Sequence, residues 1–114
     1  MADGKKAPTE ISAKEAVSLF ERAHTDKPND ANAHLNLGSA YYVSGDWDKA
    51  IEEFQHALAQ DSNLDHAHYY LGVLYGKKGD AVRARAEFDK VLNGGAHALL
   101  KSQARIQMAQ LGKK

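Results

Sequence analysis

The chain has no cysteine among its 114 residues, which excludes disulfides, thiolate metal sites and a cysteine nucleophile. It has only 2 prolines against 43% hydrophobic residues, a balance too apolar for a chain disordered throughout, and this implies a packed core. It has no excess charge: 15 basic and 15 acidic residues cancel, which argues against a surface built to neutralise many phosphates. No apolar run approaches the roughly 20 residues needed to cross a bilayer. No apolar stretch follows Lys5-Lys6, so no secretory signal is expected and a soluble, cytoplasmic protein is the default expectation. No segment carries a strand signal, and the length suits one domain.

What the chain does have is a pattern that occurs twice. Leu37-Gly38 recurs as Leu71-Gly72, Tyr41 as Tyr75, Gly45-Asp46 as Gly79-Asp80, Ala50 as Ala84 and Phe54 as Phe88. Every pair lies 34 residues apart with no gap. A fixed period of about 20–50 residues marks a stacked repeat architecture, in which each unit buries its apolar face only against its neighbours.

Residues 1–11 read as a disordered leader and 112–114 as a frayed tail. Ser12-Ala13-Lys14-Glu15 fits a capping box, and Ala16, Leu19, Phe20 and Ala23 follow at helical spacing. Pro28 predicts an end to this helix near Asp26. Ala33 to about Ser44 and Trp47 to about Gln60 predict one helical hairpin; His66 to Lys78 and Ala81 to about Asn93 predict a second. Gly94-Gly95 is expected to stop the latter in the left-handed conformation, and a last helix follows from about Ala96 to Leu111. Gly38 and Gly72 lie inside helices, where glycine costs about 1 kcal/mol relative to alanine. Close approach of a neighbouring helix is therefore expected, with Ala50 and Ala84 as the small partners.

With Leu37-Gly38, Tyr41, Ala50, Phe54 and Ala57 in one 34-residue unit, the sequence resembles the tetratricopeptide repeat family. Residues 31–64 match the family pattern closely, and 65–98 depart from it at Ala81, Arg85 and Val91. Residues 12–28 resemble a half repeat and 96–111 a closing helix; His34 and His68 stand where the family usually has tryptophan. The resemblance implies an all-α fold: a right-handed α-solenoid of antiparallel helix hairpins, about six helices in a single domain over 12–111, forming a whole, minimal module.

The resemblance also implies a concave groove lined by the first helix of each hairpin. Its residues would be Asn32, Leu35, Asn36, Ser39, Tyr42 and Val43, then His66, Tyr69, Tyr70, Val73 and Lys77, then Leu100, Gln103 and Gln107. No Asp, Glu, Lys or Arg occurs from Ala31 to Gly45 or from His66 to Gly76. The charges gather on the second helices, where Arg83–Glu87 and Arg85–Asp89 have the spacing of solvated pairs. Some family members hold a chaperone's acidic C-terminus in a clamp of Lys, Asn and Arg. Here Asn36 matches one clamp position, but Leu35, Ser39, Leu100 and Ala104 stand where Lys, Asn, Lys and Arg are needed, so that specificity is not expected.

The resemblance thus implies a protein–protein interaction module, adaptor- or co-chaperone-like, that takes a partner peptide or helix in a neutral, tyrosine-rich groove. The alternative is a self-associating structural subunit. For Leu99 and Ile106 on the last helix, packing of Leu99 beneath the Gly94-Gly95 turn is the plainer expectation and a homodimer contact the other. No catalytic residue, cofactor, metal, nucleic acid or membrane partner is expected. Nothing pairs a nucleophile with a base. Asp46 and Asp80 read as helix caps, and His66 and His68 are two apart and so point to different faces. With no His-Glu-x-x-His spacing, the six histidines are expected to be structural or exposed.

Overall fold

The computed structural model describes residues 12–26 and 30–111, and six helices make up most of them. They are α1 (Ala13–Asp26), α2 (Ala31–Ser44), α3 (Trp47–Gln60), α4 (Asp65–Lys77), α5 (Ala81–Asn93) and α6 (Ala98–Gln110). The expected leader, the Lys27-Pro28-Asn29 break, the frayed tail and the side chain of Ala23 lie outside the described residues. Among those residues there is no strand, and no helix is long and apolar enough to cross a membrane.

Each helix packs against the next in the chain, and α4 also meets α6, so the hairpins α2–α3 and α4–α5 stack with α1 and α6 at the two ends. The extents of 46 × 34 × 26 Å give an elongated body. Helix boundaries follow local chemistry. Ser12 Oγ accepts from the Glu15 backbone N–H at 3.1 Å, while Glu15 Oε1 accepts from the Ser12 N–H at 2.8 Å, closing the expected capping box. Gly45 (φ 86) and Gly79 (φ 85) both end helices in the left-handed region. In each case the following aspartate's N–H reaches a tyrosine carbonyl, Asp46 to Tyr41 and Asp80 to Tyr75, both at 2.9 Å. Asp80 caps α5 through a bond from the Arg83 N–H at 3.1 Å. Asp46 makes no such bond and faces Lys49 instead, contrary to its expected capping role.

Two glycine expectations are corrected. Gly94 leaves α5 in an extended conformation (φ −95), not a left-handed one. A Cβ there would stand 2.9 Å from Asp65 Oδ1 and 3.0 Å from the Lys90 carbonyl, so crowding is what demands glycine. The close partners of Gly38 and Gly72 are the rings of Phe54 and Phe88, at 2.9 and 2.7 Å from an added Cβ, not Ala50 and Ala84. The two phenylalanines are thereby sealed into the middle of the core with Leu71, Leu74 and Val91.

The repeat extends to polar links. His34 Nδ1–H donates to Glu53 Oε1 at 2.8 Å across the first hairpin, and His68 Nδ1–H to Glu87 Oε1 at 2.7 Å across the second. Both histidines are buried where a tryptophan was the family expectation, and the carboxylate satisfies the polar ring. Between units, the Tyr41 hydroxyl donates to Glu21 Oε2 at 2.6 Å, and the Tyr75 hydroxyl accepts from Gln55 Nε2 at 3.0 Å. Lys49 lies over the Tyr41 ring and Arg83 over the Tyr75 ring. The expected i,i+4 pairs are not formed: Arg83 turns to Asp80 and Glu87 to Lys90, each three residues away, and Arg85 and Asp89 do not close to ion-pair distance.

Candidate functional site

The first helices of the hairpins, α2 and α4, bring three tyrosines into one row. Tyr42 and Tyr70 have ring centroids 5.4 Å apart, and Tyr70 and Tyr69 5.6 Å. The row is rooted in the core. Tyr70 stacks on Phe54 at 5.4 Å and 15°, and Tyr69 meets Phe88 edge-on at 5.8 Å. All three tyrosines are half-buried, so part of each side chain remains exposed to solvent. Burial pushes the Tyr69 hydroxyl above its ordinary range, neighbouring Tyr42 and Tyr70 push it further, and a hydrogen bond with Gln107 of α6 opposes the rise.

Beside this row lies a concavity of about 390 Å³, lined by Tyr42, Val73, Lys77, Phe88, Gln107 and Leu111 among others. Tyr42, Tyr69, Tyr70, Val73 and Gln107, expected to share a groove and drawn from α2, α4 and α6, therefore meet. Lys77 joins them at the rim, its ammonium 5.5 Å above the Trp47 ring. The other expected residues are less engaged. Asn32, Asn36 and Gln103 are exposed, and Leu35 packs partly against the core. The Ser39 hydroxyl is tied to the Leu35 carbonyl at 2.9 Å, and His66 is exposed at the start of α4. Val43 does not join the row; it lines a separate depression with Val17, Tyr41 and Lys49 between α1 and α2. Leu100, placed in the groove by resemblance, is instead buried in the core together with Ala104.

Leu99 does not pack beneath the Gly94-Gly95 turn: it is 71% exposed, and Ile106 is 57% exposed. The sequence reading also passed over one cluster. Glu53 and His56, three residues apart on α3, stand with His34 of α2, and one donor atom from each lies within 4.8 Å of the others. Its signal was present in the sequence as Glu53-x-x-His56.

No curated protein sequence matches this chain. Solved structures do. The Yersinia enterocolitica type III secretion chaperone SycD, in complex with a peptide of the translocator YopD, matches with a TM-score of 0.80 at 16% identity over 87% of this chain and 79% of that one. PcrH, in complex with the chaperone-binding region of PopD, matches with a TM-score of 0.79 at 18% identity over 87% of this chain and 77% of that one. TTC0263, a thermophilic tetratricopeptide repeat protein of Thermus thermophilus, matches with a TM-score of 0.74 at 26% identity over 85% of this chain, which spans 50% of that protein. The tetratricopeptide repeat profile itself matches residues 12–63 and 44–111, and with the stacked hairpins this means that the chain belongs to the tetratricopeptide repeat family.

Proposed function

We propose that this protein is an interaction module that binds an extended or helical segment of another protein along the α2–α4–α6 side. The observation that carries this is the tyrosine row Tyr42–Tyr70–Tyr69, seated on core phenylalanines beside a concavity with no acidic residue in its lining. Rigid aromatic rings supply contact area with little loss of rotamer freedom, and their hydroxyls fix a peptide backbone. Two structural neighbours of the same fold are recorded with partner peptides, which is in keeping with this use of the scaffold. Fold alone does not settle function, so the reading rests on the row.

A pull-down from native lysate tests it, comparing the wild-type chain with the rim variant Lys77→Glu/Gln107→Ala, changed at two residues that line the concavity. Val82→Lys, on the exposed side of α5, serves as control. A protein retained by wild type and Val82→Lys but lost by the rim variant supports the groove. Equal retention by all three removes it.

A second reading has its own observation. The exposed Leu99 and Ile106 of α6 suit a contact between two copies. Light scattering on Leu99→Lys/Ile106→Lys decides it: a dimer that becomes a monomer supports self-association, and a wild-type monomer at high concentration ends it.

A further inference from the structure

We propose that His34, Glu53 and His56 form a binding site for a divalent transition-metal ion of the zinc class. The donors come from both arms of the first hairpin. His34 is buried on α2, Glu53 is half-buried on α3, and His56 is exposed one turn further along the same face of α3. The His34 and His56 rings stand 5.2 Å apart and are steeply inclined to one another at 69°, so they converge without stacking. Two imidazoles and one carboxylate are a donor set that zinc accepts in four-coordinate sites, with the fourth position open to water. Donor atoms in such a site lie about 3.4 Å apart, given bond lengths of about 2.0–2.1 Å. The three donor atoms lie within 4.8 Å of one another, and closing them onto an ion falls to His56, the exposed member of the set.

The second hairpin supplies an independent observation. Its equivalents, 34 residues on, are His68, Glu87 and Lys90. There the Lys90 ammonium lies 3.6 Å from Glu87 Oε2, while His68 bonds the other carboxylate oxygen. This position of the repeat therefore reaches the carboxylate and places a cation against it. In the first hairpin the lysine is a histidine, which brings a lone pair in place of a charge. A bound cation then takes the role that the ammonium fills in the second unit. For the ion to take His34 Nδ1, the ring proton that bonds Glu53 Oε1 moves to Nε2, so the ion replaces the His34–Glu53 hydrogen bond. The ion clips α2 to α3 and stabilises the folded chain by mass action.

Calorimetric titration of the full chain with Zn²⁺, together with melting curves, tests this. Wild type is expected to take one equivalent and to melt higher with Zn²⁺ present. His56→Lys, which writes the second hairpin's residue into the first and so is compatible with the fold, is expected to bind at least about tenfold more weakly and to lose the rise in melting temperature. His66→Ala, at an exposed histidine outside the cluster, is expected to bind as wild type does. Absence of binding by wild type, equal binding by His56→Lys, or loss of binding in His66→Ala each overturns the proposal.

Discussion

Tyr70 of α4 stacks on Phe54 of α3, with ring planes 15° apart, so a residue of the candidate groove is also a wall of the core. Such a residue cannot be removed to probe binding without disturbing the stack of repeats. Tyr70→Ala is expected to lower stability by about 2 kcal/mol, through lost burial and a lost aromatic pair. Tyr70→Phe keeps the ring and is expected to stay within about 0.5 kcal/mol of wild type. Urea denaturation measures both, and an unchanged midpoint for Tyr70→Ala would show that the stacking carries no stability.

The contact between Gly72 and Phe88 sets a rule that runs against helix propensity. Alanine is the better helix former, yet an added Cβ would stand 2.7 Å from the Phe88 ring, which is sealed in the core. Gly72→Ala is expected to destabilise by about 1–3 kcal/mol through overpacking. A smaller ring-site residue should relieve the strain, so Gly72→Ala/Phe88→Leu is expected to cost less than the sum of the two single changes. Additive costs in a double-mutant cycle would mean that the ring moves aside freely.

Much of this was legible in the sequence, because the 34-residue period fixes which residues are equivalent. The helices, the turn glycines Gly45 and Gly79 and the core pair Phe54 and Phe88 all follow from it. Contacts that the period does not encode were harder to read. A glycine inside a helix signals close approach but does not name the neighbour, and the gap left by Gly38 admits the Phe54 ring, not the small Ala50. Leu100 looked like a groove residue by position, but α6 packs against α4 and α5 and holds it in the core with Ala104. The His34–Glu53 link repeats as His68–Glu87, and this could have been found by asking which buried polar residue has a partner at the same offset in both units. The tyrosine row crosses from one repeat to the next, and no spacing within a repeat announces that.

The glycines also separate two causes of glycine preference. Gly79 has open space around it and a φ of 85, so only conformation demands it. Gly79→Ala is expected to cost about 1–2 kcal/mol, the penalty for placing an ordinary residue in the left-handed region. Gly95 has open space too, and its φ is not positive. Gly95→Ala is expected to be neutral or to stabilise by up to about 1 kcal/mol through a less flexible unfolded chain. Thermal melting of the two variants checks the contrast, and equal losses would put the cause elsewhere.

Tyr41 links stability to alkaline pH. Burial first, then its bond to Glu21 and the nearby carboxylates of Glu53 and Asp46, hold its hydroxyl protonated well above the ordinary tyrosine range. In the unfolded chain the same group ionises near pH 10. The folded state therefore keeps a proton that the unfolded state gives up, and stability must fall as pH rises above about 10. Below that pH the contribution is complete. Tyr41→Phe lacks both the hydroxyl and its titration, so it is expected to be about 1 kcal/mol less stable than wild type at pH 8, the worth of the lost hydrogen bond. Above pH 10 wild type should lose its advantage at up to about 1.4 kcal/mol per pH unit while the variant, at this position, loses nothing. Urea midpoints measured from pH 8 to 11 should thus converge, and curves that stay parallel would show that Tyr41 ionises as easily in the folded protein as in the unfolded one.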